Sequence, residues 1–477
     1  MPASPARTVA FKILLRVQKE ASYASELLHS DLLRDLSAAD RGLCTEIVYG
    51  VLRWQSALDH AIAAVSDKQP RSMDAEVLIA LRIAAYQIRF LDRIPARAAI
   101  NESVELVKAA RKRSAAGFAN AVLRKLASAA PPLAAHGPIE DLAQRLAHPQ
   151  WLISRWMEKF GAAATQNICE YDQRVPETVL RVEGESSTNA RKSGEHMWAT
   201  ENAEPTSAHN GQRWGTHGVT DIPNVVGELR REGVETAPGA IVSGALRVVS
   251  GDVVNTNTYR ERRVFIQDEA SQLVALLVGR GSRILDCCAA PGSKTAVLAF
   301  RNPETHIVAA ELHPHRARLL EERVSAKNVE VLTADVTALQ LGPRFDRVLA
   351  DVPCSGTGTL ARNPEIKWKL RKSDLEDLHK RRVAILEAAL RHVAPGGRAV
   401  YSTCSLETEE NSAVVERVLG SHPDFRLVPC RDELVRLRES GELVREDLDS
   451  MVRGAFLRTL PGVHPCDGFF AAILEKD

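Results

Sequence analysis

Three short segments in the second half of the chain decide the fold: Ile284-Leu-Asp-Cys-Cys-Ala-Ala-Pro-Gly-Ser-Lys-Thr295, Asp351-Val-Pro-Cys-Ser-Gly356 and Tyr401-Ser-Thr-Cys-Ser405. Each one lies at the end of an apolar, β-branched run that is typical of a parallel strand. In an open α/β sheet, ligands bind beyond the carboxyl ends of the strands. We therefore expect the three segments to converge on one crevice, to which they bring two cysteines, Cys354 and Cys404.

Around these segments, short apolar strands alternate with amphipathic helices. Strands are predicted at 283–286, 306–312, 330–333, 347–351, 397–402 and 469–474, and helices at 267–278, 293–300, 315–327, 373–393 and 408–419. Such alternation predicts a mostly parallel, doubly wound sheet. Residues 263–477 are accordingly predicted to form an α/β domain.

The first part of the chain has the pattern of helices only. Between Thr8 and Lys19, apolar residues recur at the spacing of one helix face. Asp40 is predicted to be the N-cap of a helix that runs through Trp54 and beyond. Further helices are predicted at 75–91, 98–112 and 117–127. Short links between five or six helices predict an all-α bundle over residues 1–132.

Charge is nearly balanced over the chain, with a formal net charge of +1. Residues 1–130 nevertheless carry 19 Lys and Arg against 13 Asp and Glu. This excess is compatible with a surface that faces RNA. The clusters Arg111-Lys112-Arg113 and Arg124-Lys125 are candidates for phosphate contacts, although such clusters are more often solvated faces.

A smaller α+β domain is predicted between these two parts, over residues 145–262. It follows a linker at 131–147 that contains several prolines. Helices are predicted at 148–160, 163–171 and 225–233, and strands at 177–182 and 240–249. The stretch 184–222 is rich in Gly, Ser, Thr, Asn, His and Glu, a composition that predicts a disordered insertion.

Several classes of protein are disfavoured by what the sequence lacks. No apolar run approaches the roughly 18 residues that a membrane span needs, and Lys12 and Arg16 interrupt the first apolar stretch, unlike a secretory signal. A cytoplasmic location is expected, where thiols stay reduced. The eight cysteines show neither Cys-x-x-Cys pairs nor zinc spacing, so neither disulfides nor a metal are expected. Nothing in the pattern indicates an obligate oligomer, and a monomer is expected.

The loop after the first strand of the α/β domain is a candidate cofactor site. It matches neither the dinucleotide fingerprint Gly-x-Gly-x-x-Gly nor the phosphate loop of nucleotide triphosphatases. Glu311 ends the second strand, where an acid suits a ribose diol, and Asp335 follows the third, where it could accept from an adenine amino group. A single acid at such a position is often only a helix cap, but the combination favours S-adenosyl-methionine. The candidate cofactor residues are Cys288, Ala289, Ala290, Pro291, Gly292, Ser293, Lys294, Glu311, Asp335 and Asp351.

Cys354 and Cys404 are the candidate reactive thiols. A free cysteine is usually only a small buried side chain, but two at strand ends beside a cofactor loop favour chemistry. Cys287 is predicted to pack beneath the loop. The cysteines given a structural role are Cys44, Cys169, Cys430 and Cys466.

Five motifs of the α/β part resemble a known family. Asp286-Cys-Cys-Ala-Ala-Pro-Gly-Ser-Lys-Thr295, Asp351-Val-Pro-Cys-Ser-Gly-Thr-Gly358 and Ser402-Thr-Cys-Ser405 resemble the three signatures of the Sun/Fmu family of RNA cytosine-C5 methyltransferases. The run Asn363-Pro-Glu-Ile-Lys-Trp368 and the closing Asp467-Gly-Phe-Phe470 are also similar to that family. The resemblance implies a Rossmann-like methyltransferase domain that uses S-adenosyl-methionine.

The helical part resembles the RNA-binding antitermination factor NusB. The similar runs are Arg41-Gly-Leu-Cys-Thr-Glu-Ile-Val-Tyr-Gly-Val-Leu-Arg53 and Phe118-Ala-Asn-Ala-Val-Leu-Arg124. A NusB-like domain joined to such a catalytic part resembles the bacterial RsmB type of the family. That likeness implies a multidomain protein that methylates a cytosine of 16S ribosomal RNA.

The resemblance also implies roles for individual residues. Cys404 would be the nucleophile that adds to C6 of the cytosine, and Cys354 would help to release the product. Asp351 would hydrogen-bond the base and stabilise the adduct, while Lys294 would help to hold the ligand or its charge. Ser293 stands where the family has a second glycine, and a positive φ there would cost about 1 kcal/mol.

Three other functions stay open at this point. The target could be transfer RNA, because only the helical part favours ribosomal RNA. The chain could be an RNA-binding or ribosome-assembly factor with a vestigial site, which would retain RNA without methyl transfer. It could also be a thiol redox protein that uses Cys354 and Cys404, in which case Glu311 and Asp335 would have no role.

Overall fold

The computed structural model describes residues 3–20, 22–129, 138–183, 222–324, 326–342 and 344–477. The chain divides into two compact units. The first comprises Met1–Pro176, Ser355–Leu375 and Leu460–His464, and the second Glu177–Cys354, Glu376–Thr459 and Pro465–Asp477. Residues 184–221 of the predicted insertion lie outside the described residues, and so do 130–137 around the start of the predicted linker.

The first unit is helical. Its helices in the first 176 residues are α1 (Pro5–Lys19), α2 (Ala24–Leu28), α3 (Ala38–Arg53), α4 (Gln55–Val65), α5 (Ala75–Phe90), α6 (Ala96–Ala109), α7 (Ala116–Ser128), α8 (Pro138–Arg145), α9 (Gln150–Phe160) and α10 (Ala162–Asp172). Residues 77–87 of α5 are all buried. A helix that is buried all round lies at the centre of its bundle, so α5 is the core element of this unit.

Two boundary predictions in this unit are wrong. Asp40 is not the N-cap of α3, because Ser37 takes that place and its Oγ accepts the Asp40 N–H at 3.1 Å. The predicted continuous helix also divides at Trp54. This residue has a non-helical ψ of 13° and is both the C-cap of α3 and the N-cap of α4. In addition, α8 occupies part of the stretch that was predicted to be a linker.

The segment Ser355–Leu375 belongs to the helical unit although it lies within the α/β part of the sequence. Its short helix α16 (Ile366–Lys369) packs at the carboxyl end of α3. There Trp368 Nε1 donates to Leu52 O at 2.6 Å, and Lys367 Nζ donates to Arg53 O and Ala147 O at 3.0 Å each. Burial lowers the pKa of Lys367 to about 7. The amine anchors this segment through its hydrogen bonds, because the last carbonyls of a helix have no partner within the helix.

The second unit contains the remaining strands and helices. Its strands are β1 (Val179–Val182), β2 (Glu235–Pro238), β3 (Ala245–Ser250), β4 (Val264–Ile266), β5 (Arg283–Asp286), β6 (His306–Glu311), β7 (Val329–Thr333), β8 (Phe345–Asp351), β9 (Val393–Thr403), β10 (Phe425–Val428), β11 (Val452–Arg453), β12 (Phe456–Arg458) and β13 (Phe470–Lys476). Its helices are α11 (Ile222–Arg231), α12 (Asn257–Arg260), α13 (Glu269–Val278), α14 (Ser293–Arg301), α15 (Pro314–Arg323), α17 (Asp374–Arg391, which begins in the first unit), α18 (Ser412–Leu419) and α19 (Cys430–Glu439). No helix in the described parts of the chain is long and apolar enough to cross a bilayer.

The strands form two sheets. A small antiparallel sheet has the order β2-β3-β1-β4, and a nine-stranded sheet has the path β11-β12-β13-β9-β8-β5-β6-β7, with β10 paired to β13. From β9 to β7 the neighbouring strands are parallel, whereas β13 is antiparallel to β9. The predicted parallel α/β sheet is therefore confirmed from β9 to β7, but the sheet as a whole is mixed, because β10, β11, β12 and β13 add antiparallel pairings beyond the prediction.

The glycines of α3 give a stability test. A Cβ at Gly50 would lie 1.9 Å from Cζ of Tyr86, a buried residue whose hydroxyl donates to Glu46 Oε1 at 2.5 Å. Gly50→Ala is expected to destabilise the helical unit by about 1–3 kcal/mol, because the held ring must move. The measurement is amide hydrogen exchange in α3 and α5 of the full chain.

Gly42→Ala is the matched control, because it lies on the same helix and a Cβ there has nothing within 4 Å. It is expected to slow amide exchange, because alanine in place of a helical glycine raises the free energy of unfolding by roughly 0.5–1 kcal/mol. Equal protection in the two variants would contradict the packing described for Gly50.

Candidate active site

The candidate cofactor loop connects β5 to α14 and spans residues 287–292. Backbone hydrogen bonds hold it to both neighbouring strands. The Cys287 N–H donates to Leu349 O at 2.8 Å, and the Ala289 N–H donates to Ala310 O at 2.9 Å. The loop is therefore fixed at the carboxyl edge of the sheet, between β8 and β6.

Gly292 carries the unusual backbone conformation of this loop. Its φ is +102°, and a Cβ there would lie 2.7 Å from Val324 and 2.8 Å from Leu320. Ser293 is the first residue of α14 and does not have a positive φ. The cost considered for serine at this position therefore does not arise.

Lys294 and Asp351 form an ion pair beside the loop. Lys294 Nζ donates to Asp351 Oδ2 at 2.7 Å, and the Ser402 hydroxyl donates to Oδ1 of the same carboxylate at 2.6 Å. Burial lowers the pKa of Lys294, but the adjacent Asp351 carboxylate outweighs burial and raises the pKa overall. Lys294 Nζ also lies 5.1 Å from the ring centre of Phe469. The lysine is thus a buried cation whose main partner is Asp351.

The two candidate thiols are in contact. Cys354 follows β8 and Cys404 follows β9, and their Sγ atoms are 3.0 Å apart. The Cys404 N–H also donates to Cys354 Sγ at 3.2 Å. Both are free cysteines and both are partly exposed. The adjacent parallel strands thus bring the two sulfur atoms together.

The environment of Cys354 favours its protonated form. The hydrogen bond with Cys404, burial and the charge of Cys404 together raise the pKa of Cys354 well above its usual value. At neutral pH, Cys354 is therefore a thiol while Cys404 stays unmodified.

Glu311 and Asp335 lie at the carboxyl ends of the next two strands. Glu311 is buried, and its Oε1 accepts the His313 N–H at 3.0 Å. Asp335 is exposed, and its Oδ1 accepts the Thr337 N–H at 2.8 Å and the Thr337 hydroxyl at 2.7 Å. Asp335 therefore caps a local turn with one oxygen, which is the simpler role considered for such an acid.

Sequence reasoning missed three residues of this site. Ser402 supports Asp351, Phe469 lies against Lys294, and Glu410 accepts the hydroxyl hydrogen of Ser405 at 2.5 Å. The first two stand inside the quoted motifs, where the pairing of β8 with β9 and of β13 with β9 could have indicated them. Glu410 had no signal beyond a predicted helix start.

The other cysteines of the chain are not at this contact. Burial raises the pKa of Cys287 well above its usual value, and this thiol lies beneath the loop. The remaining cysteines with a predicted structural role are buried: Cys44, Cys169, Cys430 and Cys466. Among the residues that the structure describes, no cluster of His, Cys, Asp and Glu could hold a metal ion.

A parallel sheet with this loop and acids at its carboxyl edge defines a Rossmann-like methyltransferase domain, joined here to a helical domain. Residues 274–475 match the family described as 16S rRNA methyltransferase RsmB/F, and residues 4–128 match the NusB family. The chain is 30% identical over 488 residues to a probable ribosomal RNA small subunit methyltransferase B of Bacillus subtilis, with both chains covered completely. The chain belongs to the RsmB/F family of rRNA methyltransferases and carries a NusB-family domain.

One further relative agrees with that assignment, and one solved structure agrees with the fold. The ribosomal RNA small subunit methyltransferase B of Vibrio cholerae is 31% identical over 445 residues, which cover 92% of this chain and 90% of that protein. The crystal structure of PH0851 superposes with a TM-score of 0.77 at 24% identity and covers 100% of both chains. At this identity the superposition supports the fold alone.

Asp286, at the end of β5, gives a pH test of the site. The Thr295 hydroxyl donates to its Oδ2 at 2.8 Å, and its Oδ1 has no hydrogen-bond partner in the described structure. Burial raises the pKa of Asp286 to about 7 from the ordinary value of 3.8. The folded state therefore binds more protons than the unfolded state between these two pH values.

Stability should consequently fall as pH rises through that window, by at most about 1.4 kcal/mol per pH unit from this group, and level off above it. Asp286→Asn keeps an acceptor for Thr295 and removes the titration. Unfolding by urea at several pH values should show a smaller fall in the variant than in the wild type. Parallel curves for the two proteins would contradict the raised pKa.

Proposed function

We propose that this protein transfers a methyl group from S-adenosyl-methionine to C5 of a cytosine in 16S ribosomal RNA, through a covalent bond between Cys404 and C6 of the base. The observation that carries this proposal is the contact of Cys354 and Cys404, 3.0 Å apart at adjacent strand ends. A redox or packing role would need only the thiols. The Lys294–Asp351 pair beside them supplies, in addition, groups that can bind a base and its charge.

The chemistry of the carboxyl edge fits S-adenosyl-methionine. Glu311 ends β6 and Asp335 follows the neighbouring parallel strand β7, and carboxylates suit ribose hydroxyls and an adenine amino group better than phosphates. Residues 288–294 with Glu311 and Asp335 would hold the cofactor. When bound, it supplies an electrophilic methyl group.

Cys404 is the proposed nucleophile. As a thiolate, its Sγ bonds to C6 of the cytosine, and the electron pair of the C5=C6 bond shifts so that C5 becomes nucleophilic. Asp351 is proposed to hydrogen-bond the polar edge of the base, and the hydrogen bonds from Lys294 and Ser402 to its two oxygens support this role. Cytosine must leave its stack to reach the sulfur, so we expect base flipping.

Cys354 is proposed to act in product release. Two of the causes that raise its pKa, the hydrogen bond and the charge, come from Cys404. Formation of the Cys404–C6 bond removes both, so Cys354 ionises more readily once the adduct exists. As a thiolate it accepts the proton from methylated C5, the C5=C6 bond re-forms, and Cys404 leaves as a thiolate.

The proposed RNA target rests on the relatives and on the helical domain. The relatives from Bacillus subtilis and Vibrio cholerae are named as small-subunit methyltransferases, and residues 4–128 match the NusB family. Transfer RNA is the alternative target, because the proposed chemistry is the same for any cytosine that can be flipped out.

The two thiol roles predict opposite results for two alanine variants. With unmodified 16S rRNA and S-adenosyl-methionine, Cys354→Ala should accumulate a covalent protein–RNA species, because the adduct forms but is not resolved. Cys404→Ala should neither trap RNA nor methylate it. Denaturing gels and mass spectrometry of nucleosides measure the two outcomes.

Cys430→Ala is the matched control. This thiol is buried in α19 and has no proposed part in the reaction, so its loss should leave methylation intact. Methylation by Cys404→Ala would remove that residue as the nucleophile. RNA retention by wild type without methylation or adducts would favour a vestigial RNA-binding factor. A Cys354–Cys404 disulfide that cycles without RNA would favour the redox function, and activity on transfer RNA alone would change the target.

The two acids predicted to bind the cofactor should contribute differently to its affinity. Glu311→Gln is expected to weaken S-adenosyl-methionine binding by about tenfold or more, because a buried charged acceptor is lost. Asp335→Asn should have a smaller effect, because Asp335 is exposed and water screens its charge. Glu330→Gln, an exposed change on β7, is the control for titration calorimetry. Equal affinities for all variants would reject the proposed cofactor residues.

A further inference from the structure

A closed network of polar side chains lies behind Cys404. The Thr403 hydroxyl donates to Asn411 Oδ1 at 2.5 Å, and Asn411 Nδ2 donates to Ser405 O at 2.8 Å. The Ser405 hydroxyl donates to Glu410 Oε2 at 2.5 Å. The two neighbours of Cys404 in the chain are therefore both held by the turn that precedes α18.

Glu410 connects this network to α17. Its Oε1 lies 3.0 Å from Nη2 of Arg382, and the two side chains are 0% and 3% exposed. Burying two charges has a large desolvation cost, and an apolar pair of similar size is often as stable. The pair is thus poorly explained by stability alone, and its place behind the thiols points to a role in the site.

The same two charges act on the second thiol. After the larger effects of Cys404 and of burial, the Glu410 charge raises the pKa of Cys354 and the Arg382 charge lowers it. Other ionisable groups also act near the thiols: Tyr401 interacts with Cys354, and Lys294 interacts with Cys404 and Asp351. Glu410 and Arg382 are therefore opposite charges that act on Cys354 in opposite directions.

We propose that Glu410 and Arg382 are a positioning pair for the two-thiol centre. Glu410 fixes the loop of Cys404 through Ser405. Arg382 pairs with Glu410, so the negative charge of Glu410 acts on Cys354 together with an opposing positive charge. This inference rests on the proposed function, because the placement of the thiols matters for an RNA reaction only if they carry it out.

The test compares Glu410→Gln, Arg382→Gln and the double variant Glu410→Gln/Arg382→Gln in the full chain. Glu410→Gln keeps an acceptor for Ser405, and the double variant leaves no unpaired buried charge. The single variants are expected to lower kcat for methylation of 16S rRNA by about 10- to 100-fold while KM changes less than about twofold, because both side chains are buried and offer no surface for RNA to bind. The double variant should recover part of kcat.

Glu475→Gln is the control variant. Glu475 on β13 pairs with Arg398 on β9 at 2.6 Å, five residues before the end of the strand that Cys404 follows. Thermal unfolding of all four variants separates loss of stability from loss of position. A drop in kcat for Glu475→Gln equal to that for Glu410→Gln would overturn the proposal.

The second readout is the pH profile of Cys354 alkylation, followed by peptide mass spectrometry without RNA. The midpoint should move to lower pH in Glu410→Gln, to higher pH in Arg382→Gln, and back toward the wild type in the double variant. General loosening of the fold would move the single variants in the same direction, and that result would overturn the pair. Absence of methylation by the wild type would overturn the proposed function instead. The alkylation profiles would still show whether Glu410 and Arg382 shift the pKa of Cys354 in opposite directions.

Discussion

The parallel pairing of β8 with β9 is the interaction on which the site depends. In this register Asp351 lies opposite Ser402, and the Val352 N–H donates to Ser402 O at 3.0 Å. Both strands end near this pair, so the loops that follow carry Cys354 and Cys404 to the same point. A slip of one residue would turn every side chain of one strand to the other face and would separate Asp351 from the Ser402 hydroxyl.

Two ion pairs lie near the thiols, a partly buried one of Lys294 with Asp351 and a fully buried one of Arg382 with Glu410, and both specify geometry more than they stabilise the fold. Lys294 spans from α14 to Asp351, and Arg382 spans from α17 to Glu410. Each pair joins a helix to a segment that follows or ends a strand. Because a buried charge tolerates no substitute partner, each pair excludes alternative positions of the loop it holds.

The strands, and the edge of the sheet at which the reactive residues meet, were predictable because the sequence signal is local. Apolar runs identify β5, β6, β8 and β9, and the rule that ligands bind at carboxyl ends predicts where Cys354 and Cys404 meet. The partner of Glu410 was not predictable, since Arg382 lies on a different element and only the folded chain brings them together. The attachment of Ser355–Leu375 to the helical unit was missed for the same reason, because Lys367 and Trp368 bind carbonyl groups at the end of α3, and a backbone carbonyl has no signature in sequence.

Two chemically identical side chains acquire different properties from their neighbours in this site. Cys354 lies against the sulfur of Cys404, and the side-chain hydrogen bond and the charge of Cys404 raise the pKa of Cys354, so its protonated form is favoured by the very residue that is proposed to react first. The ionisation of Cys354 is then tied to the state of Cys404, because a thioether at Cys404 is neither charged nor a donor of a hydrogen bond through sulfur. The order of the two thiols in the proposed reaction thus follows from one contact between adjacent strand ends, without a third group to impose it.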